Sequence, residues 1–341
     1  MAKHRAPAPR LTMKQIGARV GVSQSTVSRV LSGAPSVVPV ASQTRERILR
    51  AVAESGYTRN PLARALRGAR TALLGLIVRD IGDPFFGYAI AAITAEARGH
   101  GYGVVLGHVG SSAHEAVALR EVLEMGHCDG ALLLGDLRDQ TQLWADLVSH
   151  PTPLVGLWQG AGAPHIAVLN IDNRAGIRMA VDHLSALGHH RIAFVQGGRT
   201  GDGVERREAF RECAPEAPDD YIQIAANDFP YASMAADTLL RLPQPPTAIV
   251  ASTDVAAIGA LNAAARRGLK VPEELSVVGF DDIPLASFVT PSLTTVHQPM
   301  ERLARAAVDT MLGILDVPER RPRRHILAPS FIKRESTEAP A

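Results

Sequence analysis

The sequence is poor in cysteine, in aromatic rings and in long apolar runs. Its 341 residues include two cysteines, Cys128 and Cys213, far apart in the chain. Such a pair excludes a disulfide framework and a C-x-x-C metal site. No apolar stretch approaches the roughly 18 residues of a membrane helix. The basic opening MAKHRAPAPR lacks the apolar segment of a secretory signal. Membrane, disulfide-rich secreted and fibrous classes drop out, and a cytoplasmic location is expected. Aromatic residues make up only 4% of the chain, so a ring at the end of a strand stands out.

Charge of one sign also looks absent, with 36 Lys and Arg against 34 Asp and Glu. The distribution says otherwise. Residues 1–70 hold 13 basic side chains and two acidic ones, Glu46 and Glu54, a net of +11, while residues 71–341 carry a net of −9. A basic head on an acidic body is the electrostatic footprint of a polyanion-binding module joined to something else.

Helical signals fill the head. Thr12 and Gln15 form a capping-box pattern, and Met13, Ile16 and Val20 follow at helical spacing. Gly21 stops this helix and Ser23 offers a new N-cap. A second helix runs from Gln24 to about Leu31, and a third fits 44–55. Two short helices on a tight turn, closed by a third, read as a helix-turn-helix. Gln24, Ser25 and Arg29 project from one side of the second helix, which enters the major groove in such units. Gln suits adenine and Arg suits guanine through bidentate bonds. Thr26 and Ser28 are hydroxyl donors suited to phosphates. Next, Asn60 and Pro61 open a short amphipathic helix, NPLARALR, too short to be stable alone. Without a partner, Leu66 there is an exposed or linker-packed leucine.

The body alternates strands and helices. LLGLIV, GVVLG, ALLLG and PLVGLW read as buried strands, with helices at 86–99, 113–126 and 140–149. A second series begins at IAVLNI (166–171) and runs through RIAFVQ, AIVAS and SVVGF, with helices at 173–187, 204–213, 231–242 and 254–267. Continuous apolar strands between helices imply parallel, doubly wound sheets covered on both faces. Two runs imply two α/β lobes with a cleft at the strand carboxyl ends. Residues there include Asp80, Asp83, Phe86, Trp158, Asp202, Arg206, Thr253, Asp281 and Asp282. They suit a small polar ligand held by hydrogen bonds and ring stacking. Asp172 and Asp254 read as helix caps, Phe85 as core, and His189 and His190 as helix-end caps.

TMKQIGARVGVSQSTVSRVLSG, followed by TRERILRAVAESGYTRNPLARAL, closely resembles the head and hinge of the lactose-repressor/galactose-repressor family of bacterial transcription regulators. The resemblance extends over nearly all 341 residues. It implies that Gln24, Ser25 and Arg29 read bases, and that Leu66 is the leucine that paired hinge helices lever into a central base step. The DNA-contacting set it implies is Thr12, Gln24, Ser25, Thr26, Ser28 and Arg29 in the head, with Asn60, Ala63, Leu66 and Arg67 in the hinge. Gly17, where a small Ala is usual, and the long Pro-containing loop 32–43 depart from the pattern.

In the body, DPFF resembles the usual N-P-F-F, and HLSALGHHRIAFVQGG and SVVGFDDIPLASFVTPSLTTVHQP match family stretches. The body is thereby similar to periplasmic sugar-binding proteins. The resemblance places Arg206 and Asp281 on effector-binding positions, Gln298 at a crossover beside the pocket, Phe229 at an aromatic lid and Trp158 in the pocket. Asp83 for Asn and Ala209 for Gly are departures. The candidate effector-binding set is Asp83, Phe86, Trp158, Asp202, Arg206, Phe229, Thr253, Asp281 and Gln298.

The expected architecture is thus α/β: a helix-turn-helix head at 10–59, a hinge at 60–70, and a two-lobed periplasmic-binding-protein-like body at 71–341. Lobe 1 takes about 71–165 and 299–322, lobe 2 about 166–298 and 323–341. One helix-turn-helix reads a half-site, so a homodimer on a palindromic operator of double-stranded DNA is expected, most simply as a repressor. No heptad extension follows LAPSFIKRESTEAPA, so no coiled-coil tetramer is expected. Arg320, Arg321, Arg323 and Arg324 read as a solvated loop. The expected effector is a sugar or related polyol. A purine or nucleoside is the alternative if Trp158, Phe86 and Phe229 form a flat sandwich. An enzyme is disfavoured: QGGRTGDG lacks the G-K-[ST] of a P-loop and the G-x-G-x-x-G spacing, and no nucleophile elbow or metal spacing appears. No metal and no cofactor are expected. A transport binding protein would fit the body but neither the basic head nor the missing signal.

Overall fold

Thr12 opens the first described helix as its residue type dictates. In this computed structural model, which describes residues 11–32, 40–55, 57, 70–109, 128–159, 166–198, 201–317 and 324–340, the chain divides into two compact units, Met1–Arg67 and Gly68–Ala341. In the first unit, Gln15 N donates to Thr12 Oγ1 at 3.3 Å while Thr12 N donates to Gln15 Oε1 at 2.8 Å. This reciprocal cap starts α1 (Met13–Val20), which ends at Gly21 with φ +75°. Thr26 N donates to Ser23 Oγ at 3.2 Å at the start of α2 (Gln24–Ser32). The third helix is α3 (Ser42–Ser55). Ile16, Val20, Val27, Val30, Ile48 and Ala51 are buried between the three, each Ile or Val contributing about 1.5–3 kcal/mol. Arg47 donates to the Val20 carbonyl at 2.7 Å, satisfying an orphan group at the end of α1. Gly17 has a local reason: a Cβ there would stand 2.7 Å from the Val22 carbonyl in the turn. Residues 33–39 of the long loop lie outside the described residues, as does the hinge with Asn60, Ala63, Leu66 and Arg67.

Among the described residues, the second unit contains two six-stranded sheets. The first has β1 (Leu73–Val78), β2 (Gly103–His108), β3 (Gly130–Leu134), β4 (Leu154–Leu157), β5 (Ala167–Ile171) and β11 (Arg324–Leu327), in the order β11-β5-β4-β3-β1-β2. The second has β6 (Ile192–Gly197), β7 (Ile222–Ala225), β8 (Ala248–Ala251), β9 (Ser276–Asp281), β10 (Thr294–His297) and β12 (Ser330–Ile332), in the order β12-β10-β9-β8-β6-β7. All described pairings are parallel except β10 with β12. Buried strands such as GALLL and AIVA are apolar on both faces, as a parallel sheet requires.

The boundary between lobes differs from the sequence expectation. Residues 167–171 and 324–327, expected in lobe 2, pair in the first sheet, Val155 with Ala167 and Arg324 with Val168. An apolar run can enter either sheet, and only the neighbouring strand decides. The chain therefore crosses between lobes at Asp172, at Gln298 and Pro299, and between β11 and β12. Arg324 begins a strand rather than sitting in a loop, and residues 318–323 lie outside the described residues, as does the helix expected at 113–126.

Among the described residues, seven α-helices complete the body: α4 (Pro84–Gly99), α5 (Thr141–Ser149), α6 (Asn173–Ala186), α7 (Asp202–Cys213), α8 (Phe229–Leu239), α9 (Asp254–Arg266) and α10 (Met300–Asp316). Asp172 caps α6 as expected, accepting from Ala175 N at 2.9 Å. Asp254 is not a cap: Thr253 caps α9, and the buried Asp254 carboxylate accepts from Thr295 Oγ1 at 2.6 Å and Ile283 N at 2.8 Å. His189 is not a helix-end cap either. Gly188, with φ +96°, follows the end of α6, while the buried His189 ring bonds Thr247, Ser276 and the Glu338 carbonyl. Among the described residues no helix is long and apolar enough to cross a membrane.

Candidate functional site

Arg206 organises the floor of the cleft. It sits on α7, one turn after Asp202, and is 2% exposed. Its Nε donates to Asn173 Oδ1 at 2.8 Å, and its Nη1 to the Ser252 carbonyl at 2.6 Å and Asp281 Oδ1 at 3.3 Å. The guanidinium carbon lies 3.6 Å from the centre of the Phe280 ring. Asp202 approaches Nη2 at 3.7 Å. A buried guanidinium survives desolvation only when it is paired, and these groups pair Nε and Nη1 and cover one face of the guanidinium.

Asp281 ends β9 with φ +120°, a conformation that costs a non-glycine residue on the order of 1–3 kcal/mol. Its Oδ1 also accepts from Gln298 Nε2 at 2.7 Å, and Gln298 Oε1 accepts from Trp158 Nε1 at 3.0 Å. A continuous polar chain therefore runs from Trp158 in lobe 1 through Gln298 at the crossover to Asp281, Arg206 and Asn173 in lobe 2. Burial pushes the Asp281 carboxyl up to about 7, against the pull of Arg206. Burial also raises Asp202, again opposed by Arg206.

On the lobe 1 side, Asp83 caps α4, its Oδ1 accepting from Phe85 N at 2.9 Å. Its Oδ2 accepts from Asn227 Nδ2 at 2.8 Å, and Asn227 Oδ1 accepts from Thr253 Oγ1 at 2.8 Å. Burial is the main reason that the Asp83 carboxyl rises to about 6, with Asp80 adding to it. Beside Asp83 stands a wall of rings. Phe85 and Trp158 lie 4.8 Å apart, Phe85 and Phe86 5.5 Å, and Phe86 and Trp158 6.0 Å between centroids, all edge to face.

These groups enclose a cavity of about 140 Å³. Of the nine residues expected to bind effector, eight line it: Asp83, Phe86, Trp158, Asp202, Arg206, Thr253, Asp281 and Gln298. Phe229 does not. Asp228 accepts from Tyr231 N at 3.0 Å, which fixes Phe229 at the first position of α8, where it borders a separate cavity with Met234 and Asp237. Phe85, expected only in the core, is buried and lines the cavity too. Sequence reading missed Asn227, Arg79 and Asp136. Asn227 adjoins a helix cap and Arg79 follows β1 directly, which are the signals that point to them. It also missed the close approach of the lobes at Gly201, where a Cβ would lie 2.9 Å from Asp136 Cβ.

In the head, Thr12, Gln24 and Ser25 are exposed, and Thr26, Ser28 and Arg29 are half-buried. The Ser25 and Thr26 hydroxyls each bond Ser23 Oγ, at 2.7 and 2.9 Å, which orders the first turn of α2.

Residues 12–60 match the family model described as bacterial regulatory proteins, lacI family, and residues 181–337 match a periplasmic binding protein-like domain. The chain is 35% identical over 310 residues to the HTH-type transcriptional repressor CytR of Escherichia coli (strain K12), covering 89% of each protein. It is similar to the Lac repressor dimer bound to operator and the anti-inducer ONPF, with TM-score 0.84, 26% identity, and coverage of 97% of this chain and 100% of that one. It is also similar to the transcriptional regulator CelR in its cellobiose complex, with TM-score 0.70, 28% identity, and coverage of 96% and 100%. The head, the paired sheets and these full-length likenesses show that the chain belongs to the lacI family of bacterial regulatory proteins, a transcriptional repressor with a DNA-binding and an effector-binding domain rather than an enzyme.

Proposed function

We propose that the protein binds a palindromic operator as a homodimer and that a small polar effector, a sugar or related polyol, sets its occupancy. The domains assigned to these tasks are the head at 10–59, the hinge at 60–70 and the body from residue 71. Gln24, Ser25 and Arg29 read bases, Thr12, Thr26 and Ser28 contact the backbone, and Asn60, Ala63, Leu66 and Arg67 act in the hinge. Effector held between the lobes changes their closure, and with it the hinge spacing of the dimer. The Lac repressor bound to operator as a dimer and the cellobiose complex of CelR favour this reading. Tyr231, Met234, Leu285 and Phe288 of lobe 2 are large, apolar and exposed, which favours cover by a second copy. The protein acts in the cytoplasm, on the nucleoid when bound.

The single observation that carries the sugar reading is the ring arrangement. Phe85, Phe86 and Trp158 form one edge-packed wall on lobe 1, with polar groups of lobe 2 opposite. That suits a molecule with one apolar face and hydroxyls elsewhere. A flat purine needs rings on both faces, and Phe229, the residue for the second face, borders another cavity. Thermal-shift screening of sugars and nucleosides, followed by operator binding with each stabilising compound, tests the reading. Stabilisation by nucleosides alone overturns the sugar assignment. Operator affinity unchanged by every stabilising compound overturns the coupling.

A further inference from the structure

We propose that Asn227 is a clasp between the lobes: its amide ties the carboxylate of Asp83 in lobe 1 to the hydroxyl of Thr253 in lobe 2, and so holds the cleft closed whatever lies in it. Only the regulatory consequence rests on the reading of this cavity as the effector site.

The lobes are joined covalently at three crossovers, at Asp172, at Gln298 and Pro299, and between β11 and β12. Trp158 of lobe 1 donates to Gln298, which is itself part of a crossover. Away from these, the bond from Asn227 Nδ2 to Asp83 Oδ2, at 2.8 Å, is the one side-chain hydrogen bond between described residues of the two lobes. The other close approach is a packing contact, where a Cβ on Gly201 would lie 2.9 Å from Asp136 Cβ.

Both ends of the clasp are anchored on helix starts. Asp83 Oδ1 accepts from Phe85 N at 2.9 Å as the cap of α4, which leaves Oδ2 for Asn227. Thr253 Oγ1 accepts from Ala256 N at 3.1 Å as the cap of α9 and donates its own proton to Asn227 Oδ1 at 2.8 Å. With Oδ1 committed to the hydroxyl, the amide N–H of Asn227 faces Asp83. The end of β6 makes room for this side chain, since a Cβ on Gly197 would stand 2.5 Å from Asn227 Oδ1. A bond from an amide N–H to a carboxylate is charge-assisted. Opening exchanges it for bonds to water, and the net bias toward closure is about tenfold to a hundredfold. A ligand moves such an equilibrium only by its difference in affinity for the two arrangements. Asn227 is therefore a positioning residue: it sets how large a difference an effector must supply, without needing to touch it.

The reporter for the test is Trp158, 3% exposed on the cavity wall. The chain has two tryptophans, so Trp144→Phe leaves Trp158 as the only indole. Emission and acrylamide quenching are read on the full-length protein at pH 8, above the value of about 6 for Asp83, so that this carboxylate is ionised. Asn227→Ala should move Trp158 emission to the red and raise its quenching constant at least about twofold, with far-ultraviolet circular dichroism unchanged. Asn227→Ser, one atom too short to reach Asp83, should do the same, and stands in if the alanine variant does not fold. Asp83→Ser keeps a capping oxygen on α4 but not the clasp. Its effect should not add to that of Asn227→Ala, because both cut one bond. Unchanged quenching in the Asn227 variants overturns the proposal, and so do additive effects of the Asp83 and Asn227 substitutions. No ligand enters these measurements, so either failure leaves the effector reading standing. If the variants respond as expected but Trp158 is indifferent to every neutral aldose and nucleoside added, the clasp stands and the effector reading falls.

Discussion

Asp83 Oδ2 accepts a hydrogen bond from Asn227 Nδ2 at 2.8 Å, joining the lobe 1 wall of the cleft to lobe 2. The capping carboxylate of one lobe thus doubles as a contact with the other. Removing its charge should be visible in the pH dependence of stability.

The Asp83 carboxyl is raised from 3.8 to about 6, chiefly by burial and then by Asp80, opposed by Phe85 N–H, Asn227 and Arg206. The folded protein therefore holds this proton more tightly than the unfolded chain. The resulting stability is full below about pH 4 and is lost as pH rises to about 6. Asp83→Asn keeps the cap without titrating. Its stability relative to wild type should rise across this window, by up to about 3 kcal/mol. Calorimetric melts at pH 4.5, 5.5 and 7 measure this, and parallel curves for the two proteins would contradict it.

Arg206→Ala removes the partner of Asp281 and Asp202 and leaves buried carboxylates facing one another. A stability loss of about 3–5 kcal/mol in the body is expected. Effector response should vanish while operator affinity stays within a few-fold. Arg206→Lys keeps the charge but not the fork, so it should fold and still bind effector at least tenfold more weakly. Wild-type effector affinity in the lysine variant would show that the guanidinium geometry is irrelevant.

Arg29→Ala should cost about 1–3 kcal/mol at one base pair in each half-site. Competition between operators that differ at single positions measures it. Equal weakening on every sequence would make Arg29 a phosphate contact.

Leu66→Ala should reduce operator bending, read by circular-permutation gel shift, with effector affinity intact. An unchanged bend angle removes the lever role from Leu66.

Phe288 is 82% exposed, so Phe288→Asp should leave the fold within about 0.5 kcal/mol of wild type. If a second copy covers this residue, the variant should sediment as a monomer where the wild type is a dimer. A sedimentation coefficient that does not move places the interface elsewhere.

The local signals in the sequence were strong where neighbours in sequence do the physical work. Thr12 and Gln15 form a cap because three residues separate them. Gly21 ends a helix because it adopts a positive φ without strain. β1, β3 and β4 are strands because apolar residues run unbroken between helices. Eight cavity residues were legible for a related reason: in a parallel α/β lobe, the residues after each strand converge on one edge.

Other features depended on partners distant in the chain. Nothing in the residues around 170 says that β5 pairs with β4 of the first sheet; the parallel register that sets Gly156 opposite Val168 decides it. Asp254 and Asp172 look alike as helix starters, yet Thr295 and Ile283, far along the chain, draw Asp254 into the core. Phe229, at the start of α8, borders a separate cavity. Asn227 becomes a site residue only because Asp83, 144 positions earlier, comes within 2.8 Å. Composition, periodicity and resemblance by themselves determined the head, the two-lobed body and the family. Tertiary structure decided which lobe each strand joins, which rings face the cavity and which polar groups meet across it, because those depend on hydrogen bonds and burial between residues that sequence spacing does not connect.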